Sequence, residues 1–386
     1  MNKQTIKIIS FMTLITLINN LAHPVTPELV SSIGYGSFLL GTLFAVMSME
    51  TFFMSPFWGM FSDKYGRKIG IIIALVGYGL SQLGFGFSTK PSIIIVFRLL
   101  AGGINCASQV AGLAYLVDVT SLKERTKAMA LYTALTGFSS TLGYLIGGLV
   151  GNNDYHNAFI LQSTLCFITA VLVIFFLEES HKETVIKKKT PFISSIGKYR
   201  YTIVPLLLVI TMITSFFSTG FNNGFNSYMK FVLNLGPKYI GIIMAITGLI
   251  GLLMNILIFP LIKRFINDYH TLTFSIVMMV IFLTLAMYFE THNFTTSLIL
   301  LIFFFAFLAI YKPVLQSIIS KLGNANGEIM GLNNAFTALG NVGGSFYAGA
   351  VFAYSVNLTF YSLALILSLA LILLLIKRKK LMEYGW

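Results

Sequence analysis

Twelve apolar stretches, each long enough to cross a bilayer, recur along the whole chain and leave little sequence for anything else. A hydrocarbon core of about 30 Å calls for roughly 20 residues of helix. Stretches that meet this lie near 6–27, 38–61, 69–88, 92–117, 128–150, 157–177, 201–228, 239–262, 271–289, 297–320, 328–352 and 356–376. Lipid offers the backbone no hydrogen-bond partners, so each segment must bond internally, as a helix does. The fold class is therefore all-α integral membrane. Composition agrees, with 56 % hydrophobic and only 10 % charged residues where a soluble domain carries roughly 25 %. This excludes disorder, a secreted disulfide scaffold and a soluble enzyme. Cys106 and Cys166 both sit in apolar runs and offer neither a disulfide framework nor a metal cluster. The first stretch lacks a small-residue cleavage site, so it reads as a span and not as a signal peptide.

The formal net charge of +13 acquires a meaning once it is distributed. With a cytoplasmic N-terminus, 21 of the 26 basic residues fall at cytoplasmic ends of the spans, and only Lys90, Lys230 and Lys238 at the other face. Arg98 and Lys312 remain inside spans. That asymmetry orients the chain, with both termini cytoplasmic. It also removes a nucleic-acid partner, because the positive charge is spent on topology and anionic lipid.

The longest polar run, 178–200, separates six spans from six. The expected organisation is an N-terminal bundle over 1–177, a cytoplasmic linker over 178–200 and a C-terminal bundle over 201–386. A repeat supports it: Gly143-Tyr-Leu-Ile-Gly147-Gly148 on span 5 and Gly344-Ser-Phe-Tyr-Ala-Gly349 on span 11 lie 201 residues apart. Small residues on one side of a membrane helix let backbones approach closely. Two six-span halves related by an axis along the membrane normal are an architecture of secondary transporters.

In the short turn between spans 2 and 3 stands Gly59-Met-Phe-Ser-Asp63-Lys-Tyr-Gly66-Arg67-Lys68. Gly66 permits a turn with positive φ, and Asp63 can accept charge-assisted bonds from a neighbouring helix end or from Arg67. Asp118, at the same end of span 4, joins this gating group. The segment resembles the G-x-L-a-D-r-x-G-r-k signature of the major facilitator superfamily. Arg98-Leu-Leu-Ala101-Gly102 resembles that family's R-x-x-q-G. The Gly143–Gly148 run resembles the antiporter motif of its drug:proton branch, with Tyr144 in place of proline. The segment 331–352 resembles the corresponding span of Gram-positive quinolone and multidrug exporters, with Ser345 again replacing proline. At the 201-residue offset Asp63 meets Arg264, so the second copy of the loop signature has decayed. The resemblance implies a twelve-helix major facilitator fold, a monomer in a bacterial plasma membrane, and no cofactor.

Ionisable groups inside a membrane are expensive and therefore functional candidates. Glu50 is the one carboxylate expected near the midplane, 13 residues or about 19 Å along the helix from Asp63. Desolvation suits it to carrying a proton; the bland alternative is a hydrogen bond to Ser48 or Thr51. Arg98 keeps its proton and needs an anion, with Glu50 or the substrate as its partner. His23 either titrates or binds a carbonyl. Asn19, Asn105, Gln109, Asn222, Asn226, Lys312, Gln316, Asn333 and Asn334 are expected at a substrate cavity, or as interhelical glue. Nucleophile elbows, phosphate loops, zinc helices and dinucleotide fingerprints are absent, so an ion gradient must drive the work. Protons fit Glu50, and Na⁺ is the other choice. The expected function is proton-driven efflux of small amphipathic compounds. A second reading is export of an anionic or zwitterionic metabolite, such as a metallophore or lipid precursor. A third is a non-transporting receptor.

Overall fold

The computed structural model describes residues 2–180, 199, 202–320, 326–378 and 381, and among these there is no strand. The linker expected at 178–200 lies outside them except for 178–180 and 199. Seven helices fill the first part: α1 Lys3–Asn20, α2 Thr26–Ser32, α3 Ser37–Tyr65, α4 Arg67–Phe87, α5 Pro91–Val119, α6 Leu122–Val150 and α7 His156–Phe176. Seven more follow: α8 Val204–Ser227, α9 Pro237–Leu253, α10 Phe259–Phe265, α11 Asp268–Glu290, α12 Phe294–Ser320, α13 Asn326–Tyr354 and α14 Val356–Ile376. Single π-helical turns extend α8 over Tyr228–Val232 and join α9 to α10 over Met254–Ile258. Pro260, just beyond the second of these, lacks the N–H that would close the ordinary ladder.

Ten helical segments of the described residues are long and apolar enough to cross a membrane, each at an expected position. The other two expected spans correspond to α1–α2 and α13. Polar side chains dilute both: Thr16, Asn19 and Asn20 in α1, and Asn333, Asn334 and Asn341 in α13. Span 1, expected to be continuous over 6–27, is broken. Asn2 caps α1 by accepting from the Thr5 amide at 2.7 Å, and α1 stops at Asn20. Pro24 cannot extend it, and Pro27 then sits in the first turn of α2, where a missing N–H costs nothing.

Two compact units emerge, one of Met1–Ile186 with Asn226–Gly248, the other of Lys187–Phe225 with Leu249–Trp386. In the first, α4 packs on α5 and α7, α3 on α5, and α1 on α6. Its core includes Ile8, Ile15, Leu75, Tyr78, Tyr115 and Cys166. In the second, α11 packs on α12 and α14. The α6 glycines work by close approach. Gly143 and Gly147 lie on the Leu17 and Leu21 carbonyls of the first span, and a Cβ on Gly148 would stand 2.6 Å from the Pro237 carbonyl oxygen. In the second unit Gly344 lies likewise on the Phe216 carbonyl of α8, while Gly349 is buried.

Candidate functional site

The loop between α3 and α4 is closed by a polar cluster. Gly66 adopts φ +106°, a conformation that L side chains rarely take. Arg67, the first residue of α4, then points back among α3 and α5. It pairs with Asp63 at 2.5 Å, donates from Nε to Asp118 at 3.1 Å and reaches the Ser62 hydroxyl at 2.8 Å. Gly59 lies one turn earlier, its carbonyl accepting from Ser62 at 3.2 Å. Sequence reasoning missed the group that completes the cluster. Glu179, just past α7, accepts from the Arg67 amide at 2.9 Å and the Lys68 amide at 3.1 Å, so a carboxylate from elsewhere caps α4. A Cβ on Gly66 would collide with that carboxylate. Lys68 donates to the Ile174 carbonyl at 2.7 Å. The signal was the Glu178-Glu179 pair at the end of span 6, read as the start of a linker.

Arg98 is 2 % exposed but is not paired with Glu50, the first of the two partners expected for it. Its guanidinium lies over the Phe85 ring at 4.9 Å and the Phe44 ring at 5.3 Å, and its Nε has no hydrogen-bond partner among the described residues. Such cation–π contact partly compensates a desolvated charge. Glu50 sits further along the bundle, half-buried beside Gly103. Gly103 is five residues beyond Arg98 on α5, about 7.5 Å along the axis, which keeps the charges apart. The bond to Thr51 does not form, since that hydroxyl goes to the Met47 carbonyl at 2.9 Å.

His23, in the turn after α1, stacks on Phe44 with centroids 5.7 Å apart and meets the edge of Tyr144 at 5.7 Å. It shares the Phe44 ring with Arg98 and also lines a cavity of about 460 Å³ between α1, α5 and α6. Asn19, Asn105 and Gln109 stand on that cavity together with Met12, Met47 and Tyr132. The remaining expected cavity residues are not gathered there. Asn222, Lys312, Gln316 and Asn334 are exposed, whereas Asn226 is buried. Asn333 is buried and accepts from Thr211 at 3.0 Å, an interhelical bond between α13 and α8. Another pair that sequence did not reveal joins Glu28 of α2 to Lys230 of the π turn at 2.6 Å.

The sequence profile of the Major Facilitator Superfamily matches residues 8–265 and 207–383. A Bacillus subtilis (strain 168) protein named Multidrug resistance protein 2 is 26 % identical over 366 residues, covering 92 % of this chain and 90 % of that protein. The Quinolone resistance protein NorA of Staphylococcus aureus (strain COL) is 26 % identical over 384 residues, covering 98 % and 97 %. Among solved structures, a bacterial homologue of the human lysosomal transporter Spinster, inward-facing and unoccupied, superposes with a TM-score of 0.82. That match spans 100 % of this chain and 99 % of that one at 11 % identity, a likeness of fold alone.

Proposed function

The chain belongs to the Major Facilitator Superfamily, and from that premise we propose that it exports small amphipathic compounds in exchange for protons by alternating access. The observation that carries this reading is the near full-length similarity to a multidrug resistance protein and a quinolone resistance protein. The cavity supports it. Its volume of about 460 Å³ falls in the usual range for drug-sized ligands, and methionine and tyrosine stand on its wall beside amides. His23 contacts both this cavity and the Arg98 stack. A substrate there and a proton on a neighbouring group would therefore sense one another. Glu50 is the proposed proton carrier, Arg98 and His23 its electrostatic setting. The Asp63–Arg67–Asp118 cluster is the proposed gate. Both termini face the cytoplasm on the strength of the basic-residue asymmetry, and one chain suffices for transport.

The test is uptake into inside-out vesicles with an acidic lumen, using a panel of amphipathic compounds that includes a quinolone. Accumulation that collapses when the pH gradient is dissipated is expected. Uptake indifferent to the gradient for every compound overturns the reading. A second reading, export of an anionic or zwitterionic metabolite, draws on Lys312, which is exposed on α12 without an ion-pair partner among the described residues.

A further inference from the structure

The cavity between α1, α5 and α6 has an unusual division of hydrogen-bonding character. On the α6 wall, Thr133, Thr136 and Ser140 each give their hydroxyl proton to a carbonyl one turn back, at 2.8–2.9 Å. Thr16 on α1 does the same at 2.7 Å. Those four oxygens are left as acceptors only, and the Ser140 oxygen already accepts from the Asn20 amide at 3.3 Å. The side chains of Asn19 on α1 and Gln109 on α5 have no hydrogen-bond partner among the described residues, and the Asn105 side chain uses only its Oδ1, in a 3.4 Å contact from Ser108. Asn105 is 6 % exposed, and its amide NH2 group is unclaimed. Buried polar groups are ordinarily satisfied, so the unclaimed Asn105 amide, with the half-buried Asn19 and exposed Gln109 carboxamides beside it, offers hydrogen bonds to a guest in the chamber. No Asp, Glu, Lys or Arg lines the chamber among the described residues, and Glu50 and Arg98 both lie off its wall.

Resting on the exporter reading above, we propose that this chamber selects uncharged amphiphiles bearing hydroxyl or amide groups, and discriminates against permanent cations. A ligand O–H or N–H meets the acceptor wall, its carbonyls and hydroxyls meet the three carboxamides, and its apolar part lies on Met12, Met47 and Tyr132. A quaternary or phosphonium cation finds no carboxylate here and leaves the free amides unpaired, which costs affinity.

The experiment uses purified full-length protein and two probes of similar size: chloramphenicol, which is neutral with two hydroxyls and one amide, and tetraphenylphosphonium. Direct binding and gradient-driven uptake are measured for wild type, Asn19→Leu, Gln109→Leu and Gln109→Glu. The expected results are tighter binding of chloramphenicol by wild type, and about threefold to tenfold loss in each leucine variant, the usual scale of one hydrogen bond. Gln109→Glu places a carboxylate in the chamber and should invert the preference toward the phosphonium. Gln109 is exposed to the cavity, so these substitutions spare folding. The proposal is overturned if chloramphenicol fails to bind, if wild type prefers the phosphonium, or if the Gln109 variants leave both affinities unchanged. Phosphonium uptake that follows the pH gradient would then leave the exporter reading standing alone. Amide-dependent chloramphenicol binding without gradient-driven uptake of either probe would do the reverse.

Discussion

Arg67 and Asp268 hold equivalent places in the 201-residue repeat, each the first residue of its helix, and they carry opposite charges. Each ties its helix start to the preceding turn and to the following helix. Arg67 binds Asp63 and, across on α5, Asp118. Asp268 pairs with Lys263 at 3.4 Å and accepts from Ser317 of α12 at 3.2 Å. The positive end of a helix dipole favours an anion. Asp268 supplies that anion itself, whereas the cation Arg67 cannot, and Glu179 brings the missing carboxylate to α4. The loop signature that had decayed in the second half persists there as geometry with inverted charge.

Removing the borrowed cap should therefore weaken the first unit. Glu179→Gln loses a charge-assisted acceptor for two amides, and about 0.5–2 kcal/mol is the usual scale for such a cap. Thermal unfolding in detergent should report a lower Tm than wild type, while Glu178→Gln, whose carboxylate meets Gln4 and Lys7 among the described residues, changes little. Equal Tm values for the two variants would show that the α4 cap carries no stability.

Asp63→Asn tests the gate. It breaks one of the two carboxylate contacts to Arg67 and keeps the other, so insertion should survive. The balance between inward- and outward-open states should shift, as read by cysteine labelling from the two sides. Unchanged labelling with full transport would reduce the cluster to an ordinary loop.

Much of this architecture was legible before any coordinates. Membrane burial forces long apolar helices, and those are visible as composition alone. The break of span 1 was less so, because 6–27 reads as one apolar stretch, while the chain uses Pro24 and Pro27 within it to end one helix and begin another. The site was half legible. Asn19, Asn105 and Gln109 share a chamber because α1 and α5 each turn their amides inward, but Asn333 is consumed by Thr211. Nothing in the sequence separates these cases. Glu179 and the Glu28–Lys230 pair were missed for one reason: their partners lie over a hundred residues away.

The α6 glycines make a packing prediction. A side chain at Gly148 would meet the Pro237 carbonyl oxygen at 2.6 Å and the Gly241 Cα at 2.9 Å, both backbone atoms that cannot swing aside. Gly148→Leu should cost about 1–3 kcal/mol in overpacking and reduce transport, whereas Gly331→Ala, with open space around it, should be silent. Wild-type Tm and flux in Gly148→Leu would mean that α6 and α9 are free to separate.

Lys312 separates the two substrate readings. It stands on α12 beside Pro313, exposed and without an ion-pair partner among the described residues. If it draws anionic substrates, Lys312→Ala should weaken binding of an anion several-fold more than binding of a cationic dye. Equal losses for both would mean that the side chain acts through structure.

Coupling is the most demanding test. Among the described carboxylates Glu50 lies deepest in a span, half-buried against Gly103 with no hydrogen bond or ion pair of its own. A group left so free of partners can gain and lose a proton without dismantling a network. Glu50→Gln mimics the protonated form at nearly constant volume, which should spare folding and substrate binding. Export driven by a pH gradient should fall to background, because no charge change remains to be coupled. Substrate counterflow without a gradient should persist, since the neutral carrier still switches between its two states. Both are measured in inside-out vesicles, wild type beside variant. Should Glu50→Gln still concentrate substrate when the lumen is acid, the proton must travel elsewhere. His23, on the cavity wall beside the Arg98 stack, is then the next residue to replace.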